Sequence, residues 1–127
     1  LSSGLDSRLI LAFLKKMKYD NITTYTYGVN GLGEIDIARE IANQCNVDWN
    51  YIEYNSSKIR KLFHSKDRFN YFKYSSGYNT TPDLTGYFAH KILKNKDMID
   101  SDAVIINGQA GDFISGGHIP NINSLNF

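Results

Sequence analysis

Apolar residues recur every three to four positions over residues 5–18, where Leu9, Ile10, Phe13, Leu14 and Met17 share one stripe with lysines opposite. That period predicts an amphipathic helix with its stripe in the core. Residues 21–28 carry β-prone Ile22, Thr23, Thr24, Tyr25, Thr26 and Tyr27, closed by Gly28, and predict a strand. A glycine-rich loop over 29–33 leads into a second helical pattern over 34–44, with Ile37, Ala38, Ile41, Ala42 and Cys45 on its core stripe. Residues 48–54, carrying Trp49, Tyr51, Ile52 and Tyr54, predict a second strand. Ser56 reads as the N-cap of a helix over 57–64. The pattern breaks over 66–82, read as irregular, and helical spacing returns over 83–95 through Leu84, Tyr87, Phe88, Ile92 and Leu93. The wholly apolar run 103–106 predicts a short strand buried on both faces, ending at Asn107-Gly108.

Alternating helices and strands predict right-handed crossovers and an α/β domain: a doubly wound, mainly parallel sheet with helices on both faces. Ligands of such sheets bind beyond the carboxyl ends of the strands. Loops 28–33, 55–57 and 107–117 occupy such ends, and 1–4 is a fourth if a strand precedes it.

Composition narrows the picture modestly. The 127 residues suit one domain, and 42% hydrophobic with 21% charged residues allows a core. A net charge of +1 gives no electrostatic reason to expect nucleic acid or an anionic membrane. Cys45 is the single cysteine, so a reducing, cytoplasmic setting is expected. No apolar run approaches the ~20 residues of a bilayer span. The absence of an initiator methionine and of a basic-then-apolar leader gives no support for secretion, and the start on a motif implies missing upstream sequence.

The candidate chemistry begins at Leu1-Ser2-Ser3-Gly4-Leu5-Asp6-Ser7-Arg8, small residues immediately before a helix. A helix N-terminus offers unpaired N–H donors and partial positive charge to a phosphate, and small residues let the backbone come close. Ser2, Ser3 and Ser7 add hydroxyls, and Asp6 can hold a divalent cation against phosphate oxygens. It is not a Walker loop, because no Gly-Lys-Ser/Thr follows. The plainer alternative makes Ser2 or Ser3 an ordinary N-cap, with Asp6 complementing the helix dipole.

The segment resembles the Ser-Gly-Gly-Xaa-Asp-Ser loop of N-type ATP pyrophosphatases, the PP-loop superfamily that includes asparagine synthetases. Ser2, Gly4, Leu5 (the free position), Asp6 and Ser7 fit, and Ser3 replaces the first glycine. Thr24-Tyr25-Thr26-Tyr27-Gly28, the helix from Glu34 through Ala38-Arg39, and Trp49-Asn50-Tyr51-Ile52-Glu53 are similar to the elements that follow in asparagine synthetases. Residues 107–117 resemble the family's Gly-Glu-Gly-Xaa-Asp-Glu segment ending in Gly-Gly.

The resemblance implies an adenine nucleotide alpha hydrolase-like fold, with residues 1–127 a partial domain lacking its first strand and C-terminal helices. It implies ATP and Mg2+ as cofactors, and a carboxylate activated as an acyl-adenylate before amide formation with ammonia or glutamine-derived nitrogen. Leu1, Ser2, Ser3, Gly4, Asp6, Ser7, Tyr27, Gly28, Asn107 and Gly108 become the ATP and pyrophosphate positions, and Asp6 and Asp112 the magnesium ligands. Asp6 and Gln109 occupy the catalytic positions, although Gln109 stands where the family has an assisting acid and Phe113 replaces a second one. A glutaminase domain upstream is the implied partner. Two alternatives remain: an amidotransferase-like enzyme acting on surface-polysaccharide precursors, and an inactive nucleotide-binding remnant.

Other features read as structure. Gly31-Leu32-Gly33 is a flexible loop, and Cys45 is core. His64, His90 and His118 lack metal-ligand spacing and read as structure, with substrate contact the less favoured alternative for His118, which follows Gly-Gly. Lys66, Arg68 and Lys73 among Phe69, Tyr71, Phe72 and Tyr74 read as a solvated flap or lid in preference to a nucleic-acid platform.

Overall fold

The computed structural model describes residues 1–77 and 79–108. Seven elements follow in order: α1 (Leu5–Lys16), β1 (Thr23–Gly28), α2 (Gly33–Gln44), β2 (Asp48–Glu53), α3 (Ser56–Phe63), α4 (Lys66–Ser75) and α5 (Leu84–Asn95). The two strands pair in parallel, from Thr23 opposite Asp48 to Gly28 opposite Glu53, with α2 between them in sequence. This is the expected β-α-β unit.

Strand alternation gives the pair two faces. On one, Ile52 packs with Ala89 and Leu93 of α5, and Tyr25, Tyr54, Ile92, Met98 and Ile99 close around them. On the other, the Trp49 indole donates to Thr26 Oγ1 (2.9 Å), and Arg39 of α2 lies 5.1 Å from the indole ring. The buried line of α2 is Ile35, Ala38 and Ala42. The α/β layering is therefore present, with a two-stranded sheet among the described residues.

Local chemistry fixes the helix ends. Asn55, Ser65 and Asp83 cap α3, α4 and α5, each accepting backbone N–H groups of the first turn. Three helices close on a left-handed residue that is not glycine: Lys18 after α1, Asn46 after α2 and Asp97 after α5, at φ of 61°, 49° and 52°. Each is followed by the long return bond of a Schellman turn: Tyr19 N–H to Leu14 O, Val47 N–H to Ala42 O and Met98 N–H to Leu93 O.

Several expectations are corrected. Residues 103–106 form no strand, and Val104 is 86% exposed. A doubly buried strand needs a ladder partner, and this segment finds none among the described residues. The stripe of α1 is not core: Leu9, Phe13 and Met17 are 58%, 53% and 63% exposed, and Leu11 is the buried residue. Periodicity marks a face that prefers cover without supplying the cover. On α2 the expected Ala38 and Ala42 are buried and Ile35 joins them, whereas Ile37 is exposed and Ile41 and Cys45 are half-buried.

The segment read as irregular contains α4. Its start is signalled by Ser65, whose hydroxyl accepts the Arg68 N–H, and tertiary contacts hold it. Tyr71 stacks on Tyr87 of α5 with ring centroids 4.2 Å apart, and Lys91 pairs with Asp67. The cap of α3 is Asn55 and not Ser56, since the Asn55 carboxamide reaches the Lys58 N–H at 2.9 Å. No helix among the described residues is long and apolar enough to cross a membrane.

Candidate active site

The site grows from the carboxyl end of β1. Leu1 lies along that strand: its nitrogen donates to the Tyr25 carbonyl (2.6 Å), and its carbonyl accepts the Thr26 hydroxyl (2.8 Å). Thr26 Oγ1 also accepts from Trp49, so one buried hydroxyl links β2 to the residue opening the loop. The chain then turns through Ser2-Ser3-Gly4 into α1.

The loop is closed by its own polar groups. The Ser2 N–H donates to Ser7 Oγ (3.1 Å), the two hydroxyls lie 3.0 Å apart, and the Gly4 N–H donates to Ser2 Oγ (3.2 Å). Arg8 reaches back one turn, with Nη2 donating to the Ser3 carbonyl (2.7 Å) and Nε to that of Gly4 (3.2 Å). Neither Ser2 nor Ser3 is the N-cap. Gly4 holds that position and supplies no side-chain hydrogen bond to the first turn of α1. The first turn therefore receives no side-chain cap, contrary to the plainer reading of Ser2 or Ser3 as N-cap. Ser3 is not among the residues with positive φ, so a side chain fits there without left-handed backbone.

The decisive contact comes from the far end of the described chain. A Cβ built on Gly108 would lie 3.1 Å from the Ser7 nitrogen, and 3.4 Å from Ser7 Cα and Asp6 Cβ. Gly108 therefore lies against the first turn of α1, bringing together two segments separated by about a hundred residues of sequence. A family model for asparagine synthase matches residues 1–123. The chain belongs to the asparagine synthase family. No curated protein and no solved structure matches it.

In this asparagine synthase-family domain, Asp6 sits in the first turn of α1, half-buried, beside the Gly108 approach. Tyr27 and Gly28 end β1 at the same edge of the sheet. The Gly28 carbonyl accepts the Tyr54 N–H (2.7 Å) and the Tyr51 hydroxyl (2.9 Å), which locks the strand ends together. The Tyr27 ring stacks between Tyr25 (6.4 Å) and Tyr54 (5.3 Å). Leu1, Ser2, Ser3, Gly4, Asp6, Ser7 and Gly108 are brought into one neighbourhood, with Tyr27 and Gly28 at the end of the adjoining strand. Gln109, Asp112, Phe113 and His118 lie outside the described residues.

Behind the tyrosines, the Tyr25 hydroxyl and His90 Nε2 are hydrogen-bonded at 2.7 Å. Burial pushes the His90 imidazole below its ordinary value, and the nearby Asp83 carboxylate opposes that shift. Burial likewise raises the Tyr54 phenol, aided by the neighbouring Tyr27. Its hydroxyl donates to the Thr85 carbonyl. These groups hold α5 against the strand ends as neutral partners.

Arg8, Thr26 and Trp49 were not picked out as positioning residues by the sequence reading. The Arg8 clamp had a signal, a long donor one helical turn beyond two loop carbonyls. The Thr26–Trp49 link had none, because it depends on strand register.

Proposed function

We propose that the domain binds ATP across the strand ends and activates a substrate carboxylate as an acyl-adenylate, which an amine then converts to an amide. Family membership supports an ATP-using synthetase of the asparagine synthase type, hence a ligase in the intact protein. The observation carrying the finer reading is the approach of Gly108 to the Ser7 nitrogen, which puts a side-chain-free residue against an uncapped helix start. On this reading the first-turn N–H groups of α1 and the loop hydroxyls hold pyrophosphate. Leu1, Tyr27, Asn107 and Gly108 bound the adenosine, and the two strands form part of a larger doubly wound sheet.

Magnesium fits the donor set at Asp6: this ion takes one or two carboxylates and completes its shell with water and phosphate oxygens. Among the described residues there is no cluster of three His, Cys, Asp or Glu. Bound there, the ion would neutralise charge on the leaving pyrophosphate. The chain's own part is to hold the phosphates in line through backbone donors, with Arg8 fixing the carbonyls of Ser3 and Gly4. Asp112 as a second ligand, Gln109 at the assisting position, ammonia supply from an upstream glutaminase and a cytoplasmic setting belong to the same proposal.

The test is magnesium-dependent exchange of pyrophosphate into ATP by the full chain, with aspartate and then amino-sugar acids as acceptor. Asp6→Asn keeps the side chain's shape and removes its charge. It is expected to lower exchange at least about 100-fold, or ~2.7 kcal/mol of barrier, while thermal stability barely moves. If Asp6 only complements the helix dipole, stability falls by about 0.3–1 kcal/mol and nucleotide affinity holds. Exchange with amino-sugar acids alone would redirect the acceptor assignment to polysaccharide precursors. Magnesium-ATP binding without exchange in the unaltered protein would establish an inactive remnant.

A further inference from the structure

A concavity also lies on α3, among exposed side chains. It is an open groove of about 590 Å3 lined by Ser56, Ser57, Arg60, Lys61 and His64. Helix geometry explains the set. Ser56, Arg60 and His64 follow one another at steps of four, as do Ser57 and Lys61, so two adjacent rows climb a single face. Hydroxyls stand at the helix start, with cationic side chains one turn and His64 two turns further on. Arg60, Lys61 and His64 make no ion pair among the described residues.

The surrounding charge is lopsided. Residues 56–75 carry Lys58, Arg60, Lys61, Lys66, Arg68 and Lys73 against the single acid Asp67, in a chain whose net charge is +1. Asp67 is already held by Lys91 at 2.5 Å. Helix α3 contains no carboxylate to separate its like charges, so a bound anion would relieve their repulsion. Its N-terminus follows the carboxyl end of β2, the side of a parallel sheet where ligands bind.

We propose that this groove binds the phosphate group of a small ligand, organic or free. Arg60 presents a planar fork to two phosphate oxygens, Lys61 adds a second positive charge, and the Ser56 hydroxyl donates at the helix start. Phosphate suits the set better than a carboxylate, because Arg60 and Lys61 both line the groove and a phosphate carries up to two negative charges. A nucleic-acid strand suits it less well. Such a strand needs free aromatic faces along a basic track, and the Phe63 face is already covered by the Arg68 guanidinium at 4.6 Å. The proposal does not depend on the adenylation reading.

The experiment follows backbone amide NMR shifts of the full chain during titration with inorganic phosphate, then with a hexose 1-phosphate. Saturable shifts at Ser56, Ser57, Arg60 and Lys61 are expected, weakened at least 10-fold in R60A/K61A and at least 3-fold in R60K. Asp6→Asn should leave them unchanged. Tighter binding of the hexose phosphate identifies an organic ligand, and equal binding identifies free phosphate. Shifts confined to residues 2–7 would overturn the proposal. So would undiminished binding in a folded R60A/K61A, or a single-stranded oligonucleotide binding where both phosphates fail.

Discussion

Gly108→Ala puts the closure of the cleft to a direct test. The added methyl would meet the Ser7 nitrogen at 3.1 Å, with Ser7 Cα and Asp6 Cβ at 3.4 Å. Two of these three atoms are backbone and the third is a Cβ, so none can rotate away. Either the backbone at 107–108 or the start of α1 must yield by a few tenths of an ångström. Position 108 is not left-handed, so the cost comes from contact and not from torsion. Overpacking of this size costs about 1 kcal/mol, near the lower end for an added methyl group. The functional effect should be larger in proportion. A misplacement of about 1 Å costs roughly 100-fold in a positioned reaction, so a few tenths correspond to about 3- to 10-fold. Pyrophosphate exchange at saturating ATP, measured beside the thermal midpoint, separates the two effects. Gly33→Ala is the control, because its Cβ would meet nothing within 4 Å at an ordinary φ. Unchanged exchange and stability in Gly108→Ala would show that Gly108 does not close on α1.

Lys18→Gly should stabilise the fold by about 1 kcal/mol, since Lys18 sits left-handed at φ 61° where an L side chain is disfavoured, and a lower melting midpoint would refute this. His90 is held below its ordinary value of 6.5 by burial. The unfolded chain therefore binds the proton more readily, and stability present above about pH 6.5 is lost as pH falls through and below that value. Melting midpoints between about pH 7.5 and 5.5 should fall less in His90→Gln, and an unaltered slope would exclude His90 as the source.

The sequence made legible those elements whose signal is local. The strands at Thr23–Gly28 and Asp48–Glu53 carry β-branched and aromatic runs, and the helix between them dictates their parallel pairing. The loop ahead of α1 was equally readable, because small residues before an amphipathic run mark a helix start. What failed depended on distant partners. Helix α4 has no continuous apolar stripe, and its order comes from Tyr71 on Tyr87 and Asp67 on Lys91, contacts with α5 that no local window contains. The Val104 to Ile106 run has strand composition without a ladder partner, and composition alone does not make a strand.

The candidate site divides along the same line. Its residues are local motifs, but its geometry is set by groups outside those motifs. Thr26 binds the Leu1 carbonyl and is itself fixed by Trp49, which belongs to β2; Arg8 binds two loop carbonyls from the next turn of α1. Each such bond is worth about 0.5–1.5 kcal/mol net, comparable to the loss of a helix cap, which α1 lacks at Gly4. The loop is thus held in shape by its flanks, while the first turn of α1 receives no side-chain cap from Gly4. A serine in place of Gly4 would offer the first-turn donors an internal acceptor and compete with any phosphate. On the adenylation proposal, the missing side-chain cap at the start of α1 is where a phosphate would take its place.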